Sequence, residues 1–111
     1  MPHLTTHVLD ATTGTPARGV GLQLTRADRS PVAEGVTDDD GRAGLGPDRL
    51  DAGDYTLTFA TGEHFAAKGV ASFYPAVSIT FSVEVAGDGT SPHYHVPLLL
   101  SPFAYSTYRG S

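Results

Sequence analysis

His93-Tyr94-His95 sets two imidazoles two positions apart, and in an extended strand residues at i and i+2 face the same side. A third imidazole, His7, stands far upstream. Three imidazoles with an open position form the ligand set of a catalytic zinc ion. Without a metal, the same rings take and give protons near their ordinary pKa of ~6.5. Histidines beside the Ser91-Pro92 turn can also simply face solvent. Spacing alone leaves these three readings open.

Arg42 follows Asp38-Asp39-Asp40-Gly41. A calcium loop would need oxygen ligands at alternating positions before the glycine, and Val36 breaks that pattern. A hairpin turn closed by Asp40-Gly41 is the better reading. Arg42 gains chemical interest only where the fold turns it toward the histidines, because a guanidinium can hold an anion or a planar, carbonyl-rich ligand. The segment Tyr108-Arg109-Gly110-Ser111 brings a phenol, a second guanidinium and a hydroxyl together. Phe103, Tyr105 and Tyr108 are expected to anchor it against the fraying usual at a chain end. Ser111 lacks the Gly-x-Ser-x-Gly elbow of a serine nucleophile.

Strands must position these groups. Val77, Ile79, Phe81, Val83 and Val85 alternate with Ser78, Thr80, Ser82 and Glu84, the period of a half-buried strand. Val20-Leu22-Leu24, Tyr55-Leu57-Phe59 and Leu4-Thr6-Val8 repeat the pattern, and turn residues separate them, among them Thr13-Gly14-Thr15-Pro16 and Gly87-Asp88-Gly89. One short helix is expected at Glu63 to Lys68, stopped by Gly69. Together these features predict an all-β, two-sheet sandwich of seven to eight strands with one short helix. Val96-Pro97-Leu98-Leu99-Leu100 is apolar on both faces, so self-association is expected to cover what the sandwich does not.

Composition narrows the function classes. The chain has 111 residues, 13 Gly, 8 Pro, no Cys and a net charge of -5. Its length predicts one domain over residues 1–111, with little room for a deep private cleft. With no Lys/Arg cluster, nucleic acid and anionic membranes are not expected partners. No apolar run reaches the ~18 residues of a membrane span. The absence of Cys and of a secretory leader in Met1 to His7 makes the cytoplasm the expected compartment.

His7-Val8-Leu9-Asp10, Thr13-Gly14-Thr15-Pro16-Ala17, Asp40-Gly41-Arg42, the run from His93 to Pro102, and Tyr105 to Ser111 occur in this order along nearly the whole chain. In these segments the chain resembles the transthyretin-related family, and within it the branch that hydrolyses 5-hydroxyisourate. The terminal Tyr-Arg-Gly-Ser separates that branch from the hormone carriers of the same fold. The chain departs from the family at His64, where an aromatic is expected, and at Tyr74, where Phe is commoner.

The resemblance implies a transthyretin-like sandwich, assembled as a homotetramer with sites in a channel at the dimer-dimer interface, and neither metal nor cofactor. It implies hydrolytic opening of the six-membered ring of 5-hydroxyisourate, a step of urate breakdown yielding 2-oxo-4-hydroxy-4-carboxy-5-ureidoimidazoline. It assigns water activation and proton return to His7 and His95, with the order between them open, and substrate orientation to Arg42. Ser111 would bond the water or substrate, while Tyr108 and Arg109 fix the tail. A small-ligand carrier without turnover and a zinc hydrolase using His7, His93 and His95 are the rival readings.

Overall fold

The strand β1 (Leu4–Asp10) alternates strictly between buried and half-exposed residues. Leu4 and Val8 enter the core, while Thr5, His7 and Leu9 point to the opposite face. The computed structural model describes residues 2–85 and 92–110; the Gly87-Asp88-Gly89 turn and Ser111 lie outside the described residues. The chain continues through β2 (Thr15–Pro16), β3 (Gly21–Arg26), β4 (Pro31–Val36), β5 (Arg42–Leu45) and β6 (Gly53–Phe59). The helix α1 (Thr61–Ala67), then β7 (Val77–Val83), β8 (Tyr94–His95), β9 (Leu98–Ser101) and β10 (Ala104–Thr107) complete it.

Two sheets form the sandwich. One has the order β4-β3-β6-β7; in the other, β10-β9-β1-β2 is joined by β5 and β8, both paired with β1. Because β8 and β9 run parallel to β1 and β5 runs antiparallel to it, β1 carries neighbours along both edges. Leu24, Leu57 and Phe59 of one sheet meet Leu4, Val8, Leu98 and Leu100 of the other, all fully or almost fully buried.

The expected alternations fall on β1, β3, β6 and β7. β7 stops at Val83, two residues short of the expected end, because the Glu84 N–H donates to Tyr94 Oη at 2.8 Å. β4 shows no clean alternation: Val32 and Ala33 are half-buried and Val36 is exposed, as suits an edge strand. The helix begins two residues before its expected start, ends at Ala67 and is closed off by Gly69, whose φ of 68° suits glycine. There Gly69 N–H donates to Ala66 O and Val70 N–H to Phe65 O, closing a Schellman motif. Among the described residues, no helix is long and apolar enough to cross a membrane.

At His64 and Tyr74 the departures from the family pattern are accommodated. The His64 ring packs edge-on against Phe65, and its Nε2 lies 3.2 Å from Oδ2 of the buried Asp10. Lys68 reaches the same oxygen at 3.5 Å. Tyr74 sits edge-on between Phe73 and Tyr105. Of the run Val96 to Leu100, all but Leu99 is buried. Leu99 pairs with Leu9 on the half-exposed face of β1, so one sandwich covers only one side of this run.

Candidate active site

The outer face of β1 gathers the predicted residues. His7 stands opposite Arg42 on β5, and Thr5 stands opposite both Gly44 on β5 and His95 on β8. Directly paired residues share a face with Cβ atoms ~4.5–5.5 Å apart. Arg42, His7, Thr5 and His95 therefore form one polar row across three strands.

Local bonding fixes each end of the row. Asp38 Oδ1 accepts the N–H groups of Asp40 (2.9 Å) and Arg42 (3.0 Å), while Asp38 N–H donates to Arg42 O. The turn is thus a hairpin rather than an ion loop, and Arg42 leaves it already in register with His7. Gly41 takes a φ of 75° there, and a Cβ on it would strike Val8 O.

At the other end, His3 holds the start of β8. Its Nδ1 accepts Leu50 N–H at 2.8 Å, so the ring proton is on Nε2, which donates to Pro92 O at 2.7 Å. His3 O in turn accepts Tyr94 N–H. Thr5 Oγ1 then lies 2.8 Å from His95 Nδ1 and 2.8 Å from His93 Nε2. His93 and His95 do share a side of the strand, as expected, but their common partner is a hydroxyl. Among the described residues, no three His, Cys, Asp or Glu side chains are disposed to hold a metal ion. Burial, followed by the charges of Arg42, His7 and His93, depresses the His95 pKa below its ordinary value. The ring is therefore neutral at pH 7.

The tail closes on His95. Gly110 bridges His95, donating its N–H to His95 O at 2.8 Å. A Cβ on Gly110 would lie 2.5 Å from His95 Cδ2, so only glycine fits there. Of the expected aromatic anchors, Tyr105 packs edge-on against Tyr74, whereas Phe103 and Tyr108 are largely exposed. β10 is an edge strand with every residue exposed, so the tail draws further support from outside it. The tail is held as well by Thr107 Oγ1 donating to Pro97 O and by the Arg109 guanidinium, 4.9 Å above the Tyr94 ring.

His95 stands between two depressions. One, of about 410 Å³, holds the polar side chains of Thr5, Arg42, His93 and His95. The other, of about 290 Å³, lies under the tail and holds Tyr94, Tyr108 and Arg109 with His95. Tyr108 and Arg109 thus share His95 with the polar depression but not Arg42. Sequence reasoning overlooked Thr5, His3 and Tyr94. Period-two alternation from His7 already put Thr5 on the active face; the other two are tied to partners too remote in sequence for any local pattern.

The arrangement offers imidazoles for proton transfer beside a guanidinium for negative charge, on a surface one sandwich leaves half open. Residues 4–110 match the HIUase/Transthyretin family. A 5-hydroxyisourate hydrolase of Caulobacter vibrioides is 47% identical over 116 residues, covering 100% of both chains. The solved 5-hydroxyisourate hydrolase of Klebsiella pneumoniae is 40% identical with a TM-score of 0.86, over 97% of this chain and 92% of that one. Sparus aurata transthyretin is 33% identical with a TM-score of 0.86, over 99% and 97%. The fold is therefore shared with a hydrolase and with a transthyretin, and with residues 4–110 matched, this chain belongs to the HIUase/Transthyretin family.

Proposed function

We propose that this protein hydrolyses 5-hydroxyisourate, opening its six-membered ring to 2-oxo-4-hydroxy-4-carboxy-5-ureidoimidazoline. The observation that carries the reading is the row of Arg42, His7, Thr5 and His95 with Gly110 closed upon it. A carrier needs neither a neutral imidazole beside a guanidinium nor a glycine shaped to that imidazole. The curated relatives of 42–47% identity that support it bear the hydrolase name.

Water attacks a ring carbonyl, the carbonyl-nitrogen bond breaks, and the departing nitrogen takes a proton. His95, kept neutral by burial and the nearby Arg42 guanidinium, accepts the proton of the attacking water. Arg42 orients the planar substrate and stabilises the oxyanion as it forms. His7, across from Arg42, shares in returning a proton to the leaving nitrogen. Ser111, next in sequence after the pinned Gly110, bonds the water or the substrate, while Arg109 holds the tail against Tyr94 and Tyr108 lines the depression beneath it. No step calls for a metal or another cofactor.

The working form is a cytoplasmic homotetramer of single transthyretin-like domains. Leu9 and Leu99 lie half-exposed on the face that carries the row, an apolar border that a second copy would cover. Each site then sits between copies, in a channel at the dimer-dimer interface. Freshly generated 5-hydroxyisourate, followed by absorbance, tests the function. The protein should speed its decay by orders of magnitude over the spontaneous rate, whereas a carrier would bind it and leave the rate unchanged.

A further inference from the structure

Resting on the hydrolase reading, we propose that Thr5 and His93 form a proton relay behind His95, joining the half-buried ring to an exposed one. The geometry is specific. Thr5 Oγ1 is 2.8 Å from His95 Nδ1 and 2.8 Å from His93 Nε2, and a hydroxyl has one proton to donate and lone pairs to accept with. Thr5 can therefore donate to one ring while accepting from the other. Its backbone is held at the same point, since Thr5 O accepts Val96 N–H at 3.0 Å. His93 is exposed and His95 half-buried, so the chain of bonds runs from the site to water.

Electrostatics gives the relay a purpose. His95 is half-buried and faces Arg42 on β5, with His7 on β1 and His93 two residues upstream, and burial and the guanidinium oppose an imidazolium there. A ring that must take a proton from water without becoming cationic needs an exit for the proton on its other nitrogen. In the base stroke, His95 Nε2 takes the proton of the attacking water. His95 Nδ1 then passes its own proton to Thr5 Oγ1, Thr5 passes the hydroxyl proton to His93 Nε2, and His93 Nδ1 releases one to solvent. In the acid stroke, His95 Nε2 gives its proton to the leaving nitrogen. Thr5 returns a proton to His95 Nδ1, His93 Nε2 returns one to Thr5, and His93 Nδ1 takes one from solvent. The two strokes restore every group and both rings stay neutral, so His95 can take part in the acid stroke beside His7 as well as acting as base.

Thr5→Val removes the hydroxyl and keeps the branched shape favoured in strands. Since general acid-base groups contribute ~10²–10⁴-fold, it should lower kcat roughly 30- to 100-fold with KM within about threefold. Thr5→Ser should keep kcat within about threefold of wild type. His93→Gln, at an exposed position, should cost about 5-fold, recovered by added imidazole. Equal losses in Thr5→Val and Thr5→Ser would make the residue a packing element and overturn the relay. So would active wild-type enzyme with Thr5→Val kcat within twofold. Ring ¹⁵N shifts of the resting protein test the relay without turnover. Thr5 donating to one ring and accepting from the other supports it, while both rings donating to Thr5 overturns it. Complementary rings in a wild type that does not accelerate 5-hydroxyisourate decay would refute the hydrolase reading while supporting the bonding network.

Discussion

Gly110→Ala isolates the closure of the tail on His95. The backbone at Gly110 has no left-handed φ, so alanine meets no conformational penalty there; space alone opposes it. The new methyl would lie 2.5 Å from His95 Cδ2 and 3.1 Å from Cγ. Against an ordinary carbon-carbon separation of ~3.5–4.0 Å, the shortfall is about 1 Å. The ring is held by Thr5 and the strand by its pairing with β1, so the tail must give way. Loss of the Gly110 N–H to His95 O bond should cost ~0.5–1.5 kcal/mol, a Tm decrease of roughly 2–6 °C for a chain of this size. Displacing a catalytic segment by about 1 Å costs ~100-fold in rate. Steady-state hydrolysis of 5-hydroxyisourate alongside a thermal melt should therefore show kcat/KM down about 100-fold with the fold intact. A variant within threefold of wild type would refute the idea that the tail acts through its contact with His95.

Arg42→Lys keeps the charge but loses the planar fork, and should lower kcat/KM by about 10- to 100-fold in the same assay. The depressed pKa of His95 keeps its base form as pH falls, so kcat/KM should stay flat from pH 8 down past ~6.5 and decline only below it. Replacing Arg42 with Gln should move that decline upward, and a wild-type profile already halved above pH 7 would contradict the assignment. At the far end of β1, burial acts to raise the Asp10 pKa, but bonds from His64, Thr12 N–H and Lys68 outweigh it, leaving the folded value below the ordinary one. The stabilisation from Asp10 is then complete above pH ~3.9 and lost as pH falls through the depressed folded value. Asp10→Asn should cost about 2–3 kcal/mol in denaturant unfolding at pH 7, and a loss under 0.5 kcal/mol would show the pair to be inert.

Much of the frame was legible because alternation reports the pleat directly. β1 and β7 carry a period-two pattern over seven residues and β6 over five, and Arg42 and His95 flank outward positions of β1, His7 among them. Edge strands were harder, since β4 and β10 have no second layer to demand an apolar side. The tail was expected to be anchored by aromatic rings; Tyr105 does pack on Tyr74, but Phe103 and Tyr108 stay exposed, and a backbone bond and a cation over Tyr94 hold the last residues described. The bonds from His3 and Thr5 to Pro92, His93 and His95 join residues about ninety positions apart. Such links follow from parallel pairing of β1 with β8, which no local signal encodes.

Turnover of 5-hydroxyisourate by wild type and His95→Asn, at matched concentration and confirmed equal assembly by light scattering, tests the central claim most directly. The account predicts rapid ring opening by wild type and a loss of at least ~100-fold in the variant. Equal rates in the two proteins would contradict it.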